Sequence, residues 1–252
     1  MCSSDLDRSF NSMFGLNDFD VNYIWNNYFS VNKNKFQPIQ LLWTLMFLKL
    51  YLPIDVLHAL WNVAYDTYNK KIWEVIDFLF KHFDEIQFEE RKINKIKIGN
   101  KYVVGVVDAT ECYIERPMEN QREVYSGYKK RHTYKYTIVC IRSKKVIIFV
   151  DGPYNGPMHD IWMIKECDLE DMLDIDEILI ADKKYTNLEK IWNEKYVNLD
   201  SLDKFRKERV VVENTICDIK NYASVSNTWR HSKEKHKKVF NIICHLVNIK
   251  NK

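Results

Sequence analysis

Two acidic residues in this chain each close an apolar, β-branched run, and a third sits inside a helical pattern; together they narrow both fold and chemistry. Asp108 follows Tyr102–Val107 in VVGVVDAT, and Asp182 follows Ile178–Ala181 in ILIADKKY. Glu213 lies in RKERVVVENTICDIK, where Val212, Ile216 and Ile219 recur at helical spacing. Two strand-end carboxylates and one helix carboxylate can converge on one pocket although they are far apart in sequence. Such a cluster is unfavourable unless cations neutralise it, and hard oxygen donors suit Mg²⁺ or Mn²⁺. A carboxylate cage with open metal positions suits phosphoryl transfer. Each residue alone has an ordinary reading. Asp108 and Asp182 also fit turn-opening aspartates, and a glutamate on an exposed helix commonly pairs with a base at i−4, here Arg209.

The pattern around these residues predicts an α/β fold. From Lys101 onward the order reads strand (Tyr102–Ala109), strand (Glu111–Glu115), a basic loop, strand (Tyr134–Ile141) and strand (Lys145–Val150). A Gly/Pro turn follows, then a helix over about Met158–Met172, a strand at Ile178–Ala181, a helix at Leu188–Tyr196 and the Glu213 helix. Hairpin-linked strands followed by a helix and a strand that can rejoin the sheet predict an RNase H-like layer, a mixed sheet flanked by helices. In that arrangement the two aspartates lie on adjacent central strands and Glu213 on a covering helix.

Upstream, FQPIQLLWTLMFLKLYLP predicts a buried helix opened by Pro38 and closed before Pro53. Two shorter helical patterns follow, broken near Asn62–Ala64, where Asn suits a left-handed turn and Asp66 or Thr67 can cap the next helix. That is helix-turn-helix spacing. Its second helix presents Tyr65, Thr67, Asn69, Lys70 and Lys71, a mixture suited to phosphates and base edges. A three-helix bundle that only packs fits the same pattern. The expected organisation is an N-terminal arm (1–34), an all-α helix-turn-helix domain (35–88), and a catalytic domain (89–252) ending in a basic helix.

With 46% hydrophobic and 14% aromatic residues in 252, the chain can bury a sizeable core. The net charge of +3 says little, but its distribution says more. Gly127–Lys135 carries Lys129, Lys130, Arg131 and Lys135 with no acid, and Trp229–Lys252 carries many bases against Glu234 alone. Basic patches of this kind are an electrostatic footprint for nucleic acid, or a solvated helix face. The six cysteines show no metal-ligand spacing and fall mostly in apolar runs, which predicts reduced thiols. MCSSDLDRSF is polar and acidic, unlike a signal peptide, and Ile39–Leu52 is too short to span a bilayer. An intracellular protein with no membrane partner is expected.

In the order Asp, Asp, Glu, the segments VDAT, ADKKY and RVVVE resemble the DDE-type transposases of the PIF/Harbinger and related insertion-sequence superfamily. QREVYSGYKKRHTYKY is similar to that family's Tyr-Ser-Gly-Tyr-Lys-Lys-x-His-x-x-Lys block, and PYNGPMHD to its turn ending in Gly-x-x-x-Asp. The likeness runs from about Phe36 to Tyr222. It implies that Asp108, Asp182 and Glu213 are catalytic and bind two Mg²⁺ or Mn²⁺ ions. It also implies that Lys129, Lys130, Arg131, His132 and Lys135 hold phosphates flanking the scissile bond, with His132 able to orient an oxygen. Thr67, Asn69, Lys70 and Lys71 would meet DNA. Asp160, Arg206 and Arg209 would support the site, Asp160 as a helix cap. Partners would be double-stranded DNA, as element ends and target, and further copies of the chain on DNA. The compartment would be the nucleus in a eukaryote, and the cytoplasm or nucleoid in a bacterium. Three departures stand out: Lys184 where the family usually has Gly, Asn155 for a common Pro, and Ala109 for a frequent Gly. Lys184 leaves room for a transposase-derived DNA-binding protein without catalytic activity; an RNase H-like nuclease acting on another nucleic acid is chemically compatible but gives no reason for the helix-turn-helix.

Overall fold

The computed structural model describes residues 3–30, 36–141, 144–196 and 199–251, so the expected boundary at 34/35 lies outside the described residues. The described helices are α1 (Ser3–Phe14), α2 (Asp18–Ile24), α3 (Pro38–Leu50), α4 (Ile54–Leu60), α5 (Tyr65–His82), α6 (Asp160–Glu166), α7 (Leu199–Lys220), α8 (Ala223–Ser226) and α9 (Lys233–Lys250). The strands are β1 (Ile96–Ile98), β2 (Lys101–Tyr113), β3 (Tyr125–Ser126), β4 (Arg131–Ile141), β5 (Ile147–Asn155), β6 (Glu177–Ile180) and β7 (Ile191–Trp192). Two compact units result: Met1–Asp84 with Ile219–Lys250, and Glu85–Asp218 with the last two residues.

The first unit is helical. Pro38 at the first position of α3 has no N–H to leave unpaired there, and Tyr51 ends the helix in the left-handed region at φ 46°. Asn62 adopts φ 51° between α4 and α5, the left-handed turn residue that its side chain makes tolerable. The N-cap of α5 is Ala64 without a side-chain cap, so Asp66 lies inside the first turn and complements the helix dipole instead of capping. Residues 3–30 are mostly helical and packed: Phe14, Leu16, Ile24 and Phe29 are buried, and Phe29 meets Phe36 and Phe78. Helix α9 belongs to this unit, packing on α5 through its buried apolar stripe, whereas the sequence pattern groups it with the carboxylate-bearing part.

Much of the C-terminal basic character is used inside this unit. Arg230 donates to the Tyr51 carbonyl at 3.0 Å, Lys238 pairs with Asp77 at 2.6 Å, and Lys235 sits 3.8 Å above the Trp73 ring. The aromatic cluster they border stacks Trp229 on Tyr51 and sets His231 and His236 edge-on to Trp229. Burial, with nearby Lys235 and Arg230, pulls His231 down to about 4; burial, with Lys220, pulls His236 down to about 3. Both are therefore neutral when folded, while the unfolded chain protonates them near 6.5. Between about pH 6.5 and pH 4 the unfolded state binds more protons, so stability falls as pH falls through that window. Urea unfolding followed by tryptophan fluorescence should lose on the order of a few kcal/mol between pH 7.5 and pH 4.5. A His236→Gln protein should lose less over the same interval; equal losses would refute the assignment.

The second unit is a mixed sheet flanked by helices, which fits an RNase H-like layer. Strand β4 pairs antiparallel with β2 on one side and β5 on the other, and β3 extends the β4 end. On the far side of β2, β6 joins parallel, and β7 joins β6 parallel. Residues 102–113 form one continuous strand rather than the two expected, because Ala109 and Thr110 stay paired with Thr137 and Tyr136. Helix α6 ends at Glu166, earlier than the apolar pattern suggests, since Asp168 turns left-handed at φ 50°. Residues 188–196 form no α-helix, only a 3₁₀ turn at Glu194–Tyr196. Ile191 is fully buried, and 191–192 add a strand to β6, because completing the sheet edge outweighs local helix propensity.

Val107, Val139, Ile148, Ile164, Leu179 and Ile191 share one face of the sheet with α6. The opposite face carries Val106 and Cys140, directly paired, and the Cys140 thiol is hydrogen-bonded to Thr215 of α7. The start of β6 is tied by a buried pair in which Arg91 Nε donates to Glu177 at 2.8 Å. Among the described residues, no helix is long and apolar enough to cross a membrane.

Candidate active site

The β2–β6 register sets the site. Val106 pairs with Ile180 at the end of the parallel ladder, and two residues further on, the two chains reach Asp108 and Asp182. The carboxylates are close enough for their charges to act on one another. Burial first, then the charges of Asp160 and Asp182, push the Asp108 carboxyl up to about 6, against the opposing pull of its hydrogen bond from Ala109 N and of Lys184. Asp182 accepts from Lys183 N at 2.8 Å.

Helix α7 supplies the third carboxylate. Arg209 Nη2 lies 3.3 Å from both Asp182 Oδ1 and Glu213 Oε1, and its Nη1 is 3.9 Å from Glu194. The i−4 pairing is therefore present, and the same guanidinium carries Glu213 toward the strand-end aspartates. Glu213 remains 56% exposed on its side chain. Arg206 pairs with Glu194 at 3.3 Å. Among the described residues, no three His, Cys, Asp or Glu side chains are drawn together tightly enough to hold a metal ion. Asp182 and Glu213 are thus linked through Arg209, which stands between their carboxylates, and not through a closed cage.

Two observations bear on whether this pocket suits a hard cation. The Asp108 carboxyl is raised chiefly by burial, with the charges of Asp160 and Asp182 adding to it. The Tyr185 hydroxyl is fully buried, has no hydrogen-bond partner among the described residues, and is held far above its usual range by burial and by the charges of Asp108, Asp160 and Asp182. A buried orphan hydroxyl costs about 1–3 kcal/mol, so a further polar group would complete this corner. The carboxylate oxygens of Asp108, Asp182 and Glu213 are hard donors of the kind that Mg²⁺ and Mn²⁺ take.

The remaining predicted residues divide. Lys129, Lys130 and Arg131 are exposed on the β3–β4 hairpin, where Lys130 takes φ 55°. His132 packs edge-on to Tyr125 at 5.4 Å. Tyr128, 78% exposed, lies 4.9 Å from Lys129 Nζ and 5.6 Å from Lys184 Nζ, so the basic hairpin adjoins the carboxylates through Lys184. Lys135 differs from the expectation: its ammonium donates to Asp160 at 2.7 Å and to the Met158 carbonyl at 2.8 Å, leaving it little reach toward a ligand. Asp160 is therefore paired to a base; His159, accepting from Ile161 N, occupies the cap of α6. Gly156 makes this possible, because a Cβ there would lie 2.2 Å from Thr133 Oγ1 and push the turn off β4. In the first unit Thr67 and Lys70 are exposed, Asn69 accepts from Trp73 Nε1, and Lys71 pairs with Glu74. Tyr128 stood within a recognisable block of sequence, whereas nothing in the sequence marked Glu194 or Tyr185 as a neighbour of the site.

Since the folded Asp108 carboxyl titrates above its unfolded value of 3.8, its ionised form is disfavoured in the metal-free fold. That contribution is absent below pH 4 and complete above pH 6, so it destabilises at neutral pH. Asp108→Asn should raise metal-free stability by about 1–3 kcal/mol at pH 8, with the gain vanishing near pH 4. Chemical denaturation in EDTA at both pH values measures this; a destabilised variant at pH 8 would contradict it.

Comparison with known proteins gives two further findings. The family described as DDE superfamily endonuclease matches residues 107–248, more than half of the chain. The chain is also similar to a protein named as a probable transposase for insertion sequence element IS702 of Microchaete diplosiphon, with 28% identity over 168 residues. That alignment covers 61% of this chain and 59% of the relative, so the chain spans about three fifths of the relative's length. No solved structure matches.

Proposed function

Starting from a chain that belongs to the DDE superfamily endonucleases, we propose a transposase that cleaves element-end DNA and joins the freed 3′-hydroxyl to a target. The observation that supports this reading is the parallel β2–β6 ladder, whose last pair, Val106 and Ile180, lies two residues before Asp108 and Asp182, with Glu213 linked to Asp182 through Arg209. Asp108, Asp182 and Glu213 would hold the divalent cations. Bound there, Mg²⁺ or Mn²⁺ would supply charge neutralisation and an activated oxygen nucleophile for in-line displacement.

The chain's own residues do the rest. Asp108 orients its oxygens from within β2 and Asp182 from the turn just after β6. Lys129, Lys130 and Arg131 bind the phosphates beside the scissile bond, and Tyr128 offers a ring for an unstacked base. Lys184 adds a cation between hairpin and carboxylates where the family usually has Gly. Its backbone is not left-handed, so the turn does not require Gly. Lys135 and Asp160 support the site by fixing the turn after β5. The α4–α5 pair, with Thr67 and Lys70 on its exposed face, serves as the DNA-reading element, and the protein acts as a homo-oligomer on its DNA.

Cleavage of an element-end duplex should require Mg²⁺ or Mn²⁺, and Asp108→Asn should reduce it by at least about 100-fold while leaving DNA affinity unchanged, since transition-state stabilisation is lost but binding contacts remain. A fully active Asp108→Asn protein would remove the assignment. A native protein that binds but never cleaves would instead favour the transposase-derived DNA-binding reading.

Replacing Lys129, Lys130 and Arg131 with Ala should weaken binding to all duplexes and lower the salt slope by about 2–3, because each phosphate contact releases counterions. In the same assay, Thr67→Ala with Lys70→Ala should erode the preference for element ends over random DNA. Unchanged preference would make the helix pair a packing element only.

A further inference from the structure

We propose that Arg209 is the resident counter-ion of the candidate metal site and that divalent metal binds by displacing its guanidinium onto Glu194. The inference rests on the metal-site reading above. Arg209 Nη2 stands 3.3 Å from one oxygen each of Asp182 and Glu213, bridging two of the three carboxylates assigned to the cations. A guanidinium cannot be deprotonated in a protein, so its charge leaves the site only if the side chain moves.

A destination is already at hand. Arg209 Nη1 is 3.9 Å from Glu194 Oε1, at the outer limit of an ion pair, while Nη2 faces the other way. The planar fork thus has a carboxylate on each side, and a small rotation trades one pairing for the other. Glu194 is now held mainly by Arg206 at 3.3 and 3.5 Å. The Arg206 side chain is 54% exposed, so its pair with Glu194 is a solvent-screened one that Arg209 can share. Cation and guanidinium therefore compete for the same oxygens, and Glu194 sets the balance while touching neither the metal nor the DNA. Arg209 and Glu194 are positioning residues.

Mn²⁺ titration of the full-length protein, followed by the electron paramagnetic resonance signal of free Mn²⁺, tests this without reference to catalysis. Arg209→Gln should bind Mn²⁺ about fivefold more tightly, which is about 1 kcal/mol. Glu194→Gln should bind it more weakly by a similar factor, because Arg209 then has nowhere to go. The double variant should match Arg209→Gln alone, since Glu194 acts only through Arg209. Arg209→Lys, a gentler change, should fall between native and Arg209→Gln because a single ammonium cannot bridge both carboxylates. Weaker or unchanged binding in Arg209→Gln, or a Glu194 effect that persists in the double variant, would overturn the proposal. Asp182→Asn separates the two levels. If it abolishes Mn²⁺ binding while the Arg209 variants do nothing, only this inference fails. If Mn²⁺ binding survives Asp182→Asn, or is absent from every protein, the metal-site reading fails and takes the inference with it.

Discussion

The parallel pairing of β2 with β6 is the constraint on which the candidate site depends. A parallel neighbour needs a crossover, here the segment through α6, and its strands must be buried on both faces. The second unit meets both conditions: α6 and the following turn cover one face through Ile164, Leu169 and Leu173, and α7 reaches the other through Thr215. Once Val106 lies beside Ile180, the chain directions force Asp108 and Asp182 out at the same end of the sheet. A shift of one residue would send one carboxylate to the opposite face. The buried Arg91–Glu177 pair at the start of β6 guards against that slip, because an unpaired partner would leave a charge in the core.

Electrostatics around these strand ends are arranged in layers. Asp108 titrates high chiefly because it is desolvated, with the charges of Asp160 and Asp182 adding to that and Lys184 opposing it. Asp160 has its own base in Lys135, so its charge is contained. Asp182 and Glu213 share Arg209 at the mouth. Around them, Lys184 and the exposed hairpin bases carry the opposite sign, with Lys129 and Lys184 flanking the Tyr128 ring.

In the first unit, packing absorbs residues that look functional in one dimension. The bases near the C-terminus cap aromatic rings and pair with Asp77, and Asn69 and Lys71 bond along their own helix. Thr67 and Lys70 stay on the surface of α5. The distinction between a DNA-reading face and a packing face therefore rests on two side chains rather than on the whole charged run.

Local pattern alone determined much of this protein. Pro38 and Pro53 bracket α3, Asn62 makes the turn before α5, and the β-branched runs ending at Asp108 and Asp182 become strands, because in each case the preference resides in the residue itself. The order of the five motifs was enough to point to the family. Tertiary structure decided what depends on distant partners. Residues 191–192 became a strand because β6 offered an open edge, and the segment from Ser3 to Phe29 packed as helices because Phe14, Ile24 and Phe29 found a core. Lys135 was taken by Asp160 through a turn that only Gly156 allows. The placement of Arg209 between Asp182 and Glu213, with Glu194 behind it, joins a strand end, a loop and a helix. No one-dimensional spacing encodes that arrangement, because it follows from how the sheet and α7 pack in three dimensions.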